Sequence, residues 1–472
     1  MDIAITCPQC GAEVDLSEED TVFKCLHCGS TLKPTGRNQV QSFFISPRET
    51  PQKVGKALLS ALHGKALQRL HLSEHHLLFA PYWRVNGMLF QWIFGRKFFL
   101  SPTGEKAWET FKTLRATPWF RTFPAFDQSK LGLTSLGLRA QVLKIWPFNK
   151  QKMGDNPLLI KHTISFKDAM NHARQSIVAQ RSNEAVRVEL VKSEIIGERY
   201  SLLYFPFYCY RLTSNGRTSL VFVDALSHKV IKGSVDIDEL LGSQSGDRIP
   251  YKPLNFIAFK CPNCGWDFPF RPHSIVHVCK TCGSAWRERD GEYVQVSYRL
   301  ISKDESIKAH WKYLSFWRLT AIIKTPQREY RTLKEFYELF PIPRVLNEEA
   351  MKMRPISFYI PAFRVKNARA VDKFATQLTR TQPTFTENEP TTIEGLDLSD
   401  AWLPLKEAKE MASVLLYSMT KRDHKRTRDV VKEAELHFKN ASLIWLPFTE
   451  KGIFLREFHT DFALQKNALE LD

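Results

Sequence analysis

Two short cysteine motifs, Cys7-Pro8-Gln9-Cys10-Gly11 and Cys25-Leu26-His27-Cys28-Gly29, decide how the first part of this 472-residue chain folds. The same arrangement returns much later, as Cys261-Pro262-Asn263-Cys264-Gly265 and Cys279-Lys280-Thr281-Cys282-Gly283. In both copies fourteen residues separate the two CxxC motifs, and a glycine follows each second cysteine. Eight of the nine cysteines belong to these motifs, and the ninth is Cys209.

The spacing of these cysteines is typical of a metal site. Two thiolates at positions i and i+3 reach one metal from a tight turn, and two such turns complete a tetrahedral shell of four sulfurs. Glycine after the second cysteine suits a backbone that turns sharply, often at positive φ. We therefore predict two structural zinc sites, each closed by four thiolates. The predicted ligands are Cys7, Cys10, Cys25 and Cys28 in the first site, and Cys261, Cys264, Cys279 and Cys282 in the second.

Three other interpretations of the cysteines are less well supported. Iron binds in the same four-sulfur geometry. A thioredoxin-like redox motif needs a single CxxC in a βαβ context, whereas each CxxC here has a partner CxxC. A disulfide framework would leave Cys209 over, and it would require a secreted protein, whereas we expect no signal peptide before Cys7. We expect Cys209 to be a small buried apolar residue.

The CPxCG and CxxCG turns resemble those of zinc-ribbon, or rubredoxin-like, domains. The resemblance covers residues 4–32 and 258–286 and extends to no other part of the chain. Zinc ribbons serve transcription, translation, replication and scaffolding, so the resemblance implies a metal-stabilised fold and leaves the function open.

Composition and charge describe a basic globular protein. Hydrophobic residues make up 43% and charged residues 25% of the chain, and the formal net charge is +17. Such a charge favours acidic partners: nucleic acid, an anionic membrane surface or an acidic protein. The densest basic run, residues 421–428, is most simply a solvated helix end or loop. Its candidate anion or nucleic-acid contacts are Lys421, Arg422, Lys425, Arg426 and Arg428.

An aromatic-proline motif is the second feature that recurs. Four copies align on a proline that has an aromatic residue two positions before it and a bulky apolar or small residue after it, and a fifth copy, residues 313–318, lacks the proline. The four are Phe79-Ala80-Pro81-Tyr82, Tyr204-Phe205-Pro206-Phe207, Tyr359-Ile360-Pro361-Ala362 and Trp445-Leu446-Pro447-Phe448. Since proline cannot donate to a β-ladder, we expect bent edge strands or bulges whose aromatics fill a core. An exposed aromatic platform for nucleic-acid bases is the alternative.

Local patterns predict several elements. Val40–Ile45 is strand-like, and Thr50-Pro51 opens a helix that runs to about His63, with threonine as N-cap and proline at N1. Helices also begin near residues 164–169 and 403–408, and strands follow at residues 186–191 and 430–438. The cluster His71-Leu72-Ser73-Glu74-His75-His76 is interpreted as a surface loop.

These matches predict an internally duplicated α+β protein, in which each of two zinc ribbons precedes a mixed αβ domain with a mostly antiparallel sheet. The predicted domains are ribbon 1 at 1–36, αβ domain 1 at 37–241, a linker at 242–257, ribbon 2 at 258–288 and αβ domain 2 at 289–472. Residues 100–160 have no obvious counterpart in the second half.

The chain lacks the common catalytic and phosphate-binding motifs GxxxxGK[ST], GxGxxG, GxSxG and HExxH, so nothing positive indicates an enzyme. The longest apolar stretch, residues 77–94, is interrupted by Arg84, Asn86 and Gln91, so no transmembrane segment is expected. We predict a cytoplasmic, non-catalytic zinc-binding scaffold or adaptor that presents two similar surfaces to protein partners. The alternatives are a protein that binds nucleic acid through basic αβ surfaces and one that associates with an anionic membrane surface.

Overall fold

The computed structural model describes most of the chain. The described residues are 2–18, 20–36, 40–63, 70–100, 106–126, 143–177, 186–214, 217–232, 255–304, 306–307, 309–342, 348–388, 393, 395–421 and 425–469. Within them the protein is a strand-rich α+β structure with seven α-helices and mostly antiparallel sheets. The predicted class and the antiparallel character are thereby confirmed. Residues 242–254 of the predicted linker lie outside the described residues.

The chain forms two compact units, which do not follow its order from end to end. Unit 1 comprises Met1–Asn86, Phe120–Val178 and Glu198–Phe256, and unit 2 comprises Gly87–Trp119, Ala179–Gly197 and Ile257–Asp472. Three long strands therefore contribute residues to both units: β6 (Leu70–Leu100), β7 (Lys106–Pro124) and β10 (Val186–Ser214).

Unit 1 begins with the first ribbon and continues into one sheet with two helices. The ribbon strands are β1 (Asp2–Thr6), β2 (Glu13–Ser17), β3 (Phe23–Lys24) and β4 (Thr31–Thr35). The other elements are β5 (Gln41–Phe44), α1 (Pro51–His63), β8 (Trp146–Pro147), β9 (Leu158–Leu159), α2 (Phe166–Gln175), β11 (Arg217–Asp224) and β12 (Val230–Lys232). The strand and the helix predicted between Val40 and His63 are confirmed, and the Thr50 hydroxyl caps α1 by accepting from the amide of Lys53 at 3.4 Å.

Strand β10 is central to unit 1 because it buries both faces. Leu203, Phe205, Phe207 and Cys209 alternate into one core, while Tyr208 and Tyr210 pack on the other face against α1. A strand buried on both faces reads as a continuous apolar run, as residues 202–210 do. The prediction that Cys209 is buried is confirmed.

Unit 2 contains the second ribbon, a nine-stranded sheet and five helices. Strand β13 (Asn255–Ala258) begins in unit 1, and its last two residues belong to unit 2. The later strands are β14 (Val276–Val278), β15 (Ala285–Arg289), β16 (Glu292–Val296), β17 (Tyr298–Ile301), β18 (Trp311–Lys324), β19 (Glu329–Tyr330), β20 (Ser357–Pro361), β21 (Glu387–Asn388), β22 (Asp397–Leu398), β23 (Glu435–Lys451), β24 (Phe454–Glu457) and β25 (Ala463–Gln465). The helices are α3 (Leu333–Leu339), α4 (Glu348–Met353), α5 (Ala368–Thr381), α6 (Leu405–Met419) and α7 (Lys425–Lys432).

The antiparallel pair β18–β23 is the centre of this sheet, and its two faces carry separate cores. Leu314 and Phe316 face the side covered by α5, whereas Tyr313 and Trp317 face the side covered by α6. The layer order is therefore helix, sheet, helix, and the large aromatic content of the chain fills both interfaces.

The aromatic-proline motifs of β6, β10 and β23 lie in strands with several neighbours, whereas the motif of β20 lies in a strand that pairs with β18 alone among the described strands. Pro447 falls between Trp445, the last residue of β23 paired with β17, and Phe448, the first paired with β24. Pro206 lies in the same way between the part of β10 that pairs with β5 and the part that pairs with β11. The predicted core role of the aromatics is confirmed. The predicted edge position is confirmed for Pro361, at the end of β20. It is wrong for Pro206 and Pro447, which occupy the gap where one neighbouring strand replaces another, so that no ladder donor is needed.

Two further predictions are wrong. Residues 430–432, predicted to begin a strand, are the end of helix α7, and β23 starts only at Glu435. The first turn of α7, at residues 425–428, agrees with the helix end predicted for the basic run. Val431 is fully buried, and this burial in tertiary contacts outweighs the strand propensity of the adjoining valines. The histidine cluster at 71–76 lies in strand β6 and not in a loop.

Replacing Phe316 by alanine is expected to lower the free energy of unfolding of unit 2 by about 3–5 kcal/mol. Its side chain is fully buried and its ring lies 5.5 Å from that of Phe363 and 6.0 Å from that of Phe374, so a cavity is created. Chemical denaturation followed by fluorescence measures the loss. Ile453→Ala, at a position that is 68% exposed, is the control, and equal effects of the two variants would contradict the assigned core.

Candidate metal centres

The four CxxCG turns share one backbone geometry. In each turn the glycine amide donates to the carbonyl of the first cysteine, with N–O distances between 2.8 and 3.0 Å. The amide of the first cysteine in turn donates to the carbonyl of the residue after the glycine, at 2.8–2.9 Å. The four glycines, Gly11, Gly29, Gly265 and Gly283, have φ values between 69° and 76°.

The glycines are needed for their φ angle and not for space. A Cβ atom at Gly11, Gly29 or Gly265 would meet no atom within 4 Å. Only glycine adopts this left-handed conformation without strain, and the turn directs backbone amides toward the sulfurs. The prediction that glycine permits the sharp turn is thus confirmed by the φ values.

The turns bring the eight predicted ligands together in two groups. Within each group all four sulfurs lie within 4.8 Å of one another. The Sγ–Sγ distances are 3.8 Å for Cys7–Cys28 and for Cys10–Cys25, 3.6 Å for Cys261–Cys282 and 3.5 Å for Cys264–Cys279. Four sulfurs at about 2.3 Å from a tetrahedral metal are about 3.8 Å apart, so both groups have the size of a closed four-thiolate shell.

The cysteines are free thiols and form no disulfide. In each CxxC motif the first cysteine is buried, while the second lies nearer the surface. In the part of the chain that the structure describes, these two groups are the only sets of three or more His, Cys, Asp or Glu side chains that lie close enough together to hold a metal ion. The histidine cluster at 71–76 is therefore not such a set.

A serine two residues after the last cysteine of each group was missed by the sequence analysis. The Ser30 hydroxyl lies 3.2 Å from Cys28 Sγ, and the Ser284 hydroxyl lies 2.8 Å from Cys282 Sγ. Hydrogen bonds from Ser30 lower the pKa of Cys28 to about 6. Burial raises the pKa of Cys282, but the hydrogen bonds from Ser284 outweigh this effect and help to lower the pKa to about 6. Both serines favour the thiolate, which is the form that binds a metal.

A buried ion pair connects the first ribbon with the sheet of unit 1. Arg84 in β6 is 4% exposed, and its guanidinium donates to both carboxylate oxygens of Glu18, with Nη1–Oε2 at 3.0 Å. Its Nε donates to the Ser201 hydroxyl at 2.8 Å. Burial of Glu18 raises its pKa, but the hydrogen bonds and charge of Arg84 outweigh this effect and keep the pKa below 4.5. The ribbon is therefore held by a paired, hydrogen-bonded charge as well as by apolar contacts.

The basic run at 421–428 is divided between different environments. Lys421 and Arg426 are exposed, whereas Arg422 and the side chain of Lys425 lie outside the described residues. The Arg428 side chain is 13% exposed, lies 3.7 Å from the Glu189 carboxylate and stacks on the Phe94 ring. Arg428 is thus engaged within unit 2, and anion contact by the run stays a prediction.

Cys261→Ser is expected to remove one of the two metal ions that the chain can bind, because three thiolates do not close the second shell. Metal analysis of the purified protein, together with zinc release by a chelator, measures the loss. Cys209→Ala removes a thiol that belongs to neither group and should retain full metal content. Full metal content in Cys261→Ser would refute the ligand assignment.

Glu18→Gln is expected to lower the free energy of unfolding by about 3 kcal/mol at pH 7, because Arg84 is left buried without its counter-charge. The pKa of Glu18 in the folded protein is lowered below 4.5, so its contribution is complete above pH 4.5 and is lost as the pH falls through the folded pKa. Denaturation of both proteins between pH 7 and pH 3 should therefore show a difference that shrinks toward low pH.

The matched control is Glu450→Gln, which removes an exposed ion pair with Lys466 and should change stability by less than about 1 kcal/mol. A difference between Glu18→Gln and the parent protein that is the same at pH 7 and pH 3 would mean that Glu18 acts through packing and not through its charge.

No helix among the described residues has the length and apolar character needed to cross a membrane. Comparison of the chain with protein-family models, with curated proteins and with solved structures found no match.

Proposed function

We propose that the protein is a non-catalytic zinc-binding scaffold whose two metal-locked ribbons contact a protein partner. Zinc is the metal proposed for both groups, because four thiolates in a closed tetrahedral shell suit zinc and leave no position for a substrate. The role proposed for the metal is therefore structural. Metal binding contributes folding free energy to a ribbon that is too small to build a large core.

One observation carries the proposal: large apolar side chains are exposed on the metal-binding turns themselves. Leu26, between the cysteines of the second turn, is 93% exposed, and Trp266, directly after the third turn, is 65% exposed. Phe270 in the second ribbon is 51% exposed. Exposed apolar residues are common singly, but these three belong to two short segments.

Their position on a rigid turn supports an interface role. The hydrogen bonds of the turn and the four-sulfur shell fix the backbone before any partner binds, so less conformational entropy is lost on association. Tryptophan is among the residues that dominate binding energy at interfaces. A ribbon tip with an exposed leucine or tryptophan therefore has the properties of a preorganised anchor.

We also propose that the two units descend from one duplicated unit. The indole of Trp83 donates to the Ile164 carbonyl at 3.0 Å, and that of Trp317 donates to the Leu403 carbonyl at 2.8 Å. In each case the acceptor lies two residues before a helix, α2 or α6. Such a matched pair of long-range hydrogen bonds supports a common framework.

A second match concerns a buried or half-buried arginine in each unit. Arg318 donates to the Ser442 hydroxyl at 3.2 Å and to the Glu387 carboxylate, as Arg84 does to Ser201 and Glu18. In unit 2, however, the carboxylate comes from β21 and not from the ribbon. A duplicated framework with different attachments would give a scaffold two related surfaces of different specificity.

A third match assigns a counterpart to part of the segment 100–160. The Ala125 amide donates to the Pro81 carbonyl, and the amides of Thr163 and Ile164 donate to the Ala125 carbonyl. In unit 2 the same three bonds join Ala362 with Ser315, Trp402 and Leu403. Phe123-Pro124-Ala125-Phe126 thus corresponds to Ile360-Pro361-Ala362-Phe363, a match that the sequence analysis overlooked.

Nucleic-acid binding is the second candidate function. The net charge of +17 favours it, and Lys260 and Lys280 are exposed on the same ribbon as Trp266. An exposed tryptophan near lysines supports base stacking with phosphate contacts. Association with an anionic membrane surface rests on the net charge alone.

The proposal is tested with Leu26→Ser and Trp266→Ser. Proteins that crosslink to the tagged chain in cells are quantified, and partners of the ribbons should fall by about tenfold or more in one variant, as loss of an interface anchor predicts. Met353→Ser and Ile453→Ser, at positions that are 87% and 68% exposed outside the ribbons, are the controls and should keep the same partners.

Nucleic-acid binding, the second candidate function, is tested with the same parent protein and variants. Binding to mixed DNA and RNA is measured across a salt series, where phosphate contacts give a log–log slope of about −0.9 per neutralised phosphate on duplex DNA. Salt-sensitive binding that Trp266→Ser weakens, with an unchanged set of protein partners, would replace the scaffold by a nucleic-acid-binding protein.

A further inference from the structure

A cavity of about 580 Å³ in unit 2 is lined by four basic side chains, Lys97, Lys112, Arg380 and Lys421. Pockets that bind small molecules are typically about 300–1,000 Å³ in volume. The walls also include Phe111 and Met419, which offer apolar surface. The scaffold role assigns nothing to this cavity.

The charges at the cavity do not cancel. Glu109 lines it and forms an ion pair with Lys97 at 3.1 Å. Asp372 is the other carboxylate that interacts with the basic cluster, and it accepts a hydrogen bond from the Ser418 hydroxyl at 2.5 Å. Burial raises the pKa of Asp372 to about 6, and the Ser418 hydrogen bond and the charge of Lys112 oppose this effect. Among the residues that the structure describes, four cations thus face two carboxylates.

Lys112 is fixed at the inner wall. Its ammonium lies 4.9 Å from the centre of the Trp92 ring and donates to the Ser418 carbonyl at 2.8 Å and to the Thr420 carbonyl. These bonds satisfy carbonyl groups at the end of α6, which is a structural role. An ammonium has three donors, however, so one is available to a ligand in addition to these bonds.

Arg380 supplies the second cationic group. It lies in the last turn of α5, and its Nη2 donates to the Pro341 carbonyl at 3.1 Å. A guanidinium has five N–H donors in a planar arrangement that matches an oxyanion, and this hydrogen bond uses one of them. Burial lowers the pKa of both cations, that of Lys112 to about 8, so both are partly desolvated.

We propose that this cavity binds a small molecule that carries an oxyanion, a phosphate or a carboxylate, between Lys112 and Arg380, with the exposed Lys97 and Lys421 contributing attraction from the surface. The anion would add negative charge where the described cations outnumber the described carboxylates. Phe111 and Met419 would contact the rest of the molecule.

The test uses the full-length, metal-loaded protein at physiological ionic strength. Inorganic pyrophosphate and citrate are titrated separately by calorimetry, so that phosphate and carboxylate are distinguished. We expect one of them to bind with a dissociation constant of about 1 mM or lower. Arg380→Gln, which keeps side-chain donors but removes the charge, should weaken binding by about tenfold or more, because a charge-assisted contact is lost.

Two further variants keep the test decisive. Lys421→Ala changes an exposed side chain and should weaken binding less than Arg380→Gln, and it replaces that variant if Arg380→Gln fails to fold. Lys451→Ala removes an exposed lysine that does not line the cavity and should leave the affinity unchanged.

Two results would overturn the proposal. The first is no binding of either probe at about millimolar concentration. The second is equal binding by the parent protein, Lys421→Ala and Arg380→Gln, which would place the anion elsewhere on the basic surface. Because the ribbons are not altered in any of these variants, neither result bears on the scaffold function.

Discussion

The two large sheets of this protein, with eight and nine strands, each depend on a strand that buries two faces and still contains a proline. A central strand must satisfy every backbone donor and acceptor on both sides, which normally excludes proline. Here the proline stands where the neighbouring strand changes, from β5 to β11 beside Pro206 and from β17 to β24 beside Pro447. The missing N–H therefore leaves no partner unsatisfied, and the proline carbonyls still accept from Ala225 and Phe458. At each of these prolines the central strand leaves one neighbour and pairs with the next: β10 passes from β5 to β11, and β23 passes from β17 to β24. These changes of neighbour set the strand order of the sheet in each unit.

The strands beside β10 and β23, which are β6 and β18, position charges that an apolar core would otherwise exclude. Arg84 and Arg318 each lie on a central strand and donate to a serine on the neighbouring strand and to a carboxylate from elsewhere in the unit. In unit 1 the carboxylate belongs to the ribbon, so the metal-binding segment is attached to the sheet through a buried ion pair. Such a pair tolerates loss of neither partner, since the remaining charge would be buried alone. Ribbon position in unit 1 and metal coordination are thus maintained by separate interactions.

The two proposed binding functions use different parts of the molecule, and they depend on different interactions: apolar contact at the ribbons and charge attraction at the cavity. The ribbons offer Leu26 and Trp266 on turns made rigid by hydrogen bonds and a four-sulfur shell, which suits apolar recognition of a protein. The cavity in unit 2 offers Lys112 and Arg380 as partly desolvated cations, which suits a small anion. A scaffold that responds to a small anion follows if both proposals hold, because the ligand would stabilise unit 2 by mass action.

The sequence by itself determined the features that depend on local spacing. The cysteine ligands, the glycine φ angles and the N-terminal end of α1 follow from residues within a few positions of one another, so chain geometry alone specifies them. The tertiary structure decided what depends on residues far apart in the chain: the central place of the proline strands, the partner of Arg84 and the cavity around Lys112 and Arg380. It also made residues 430–432 part of helix α7, because burial of Val431 outweighs a weak local preference. Burial and charge pairing are properties of neighbours in space, and these neighbours are fixed only when the sheets form.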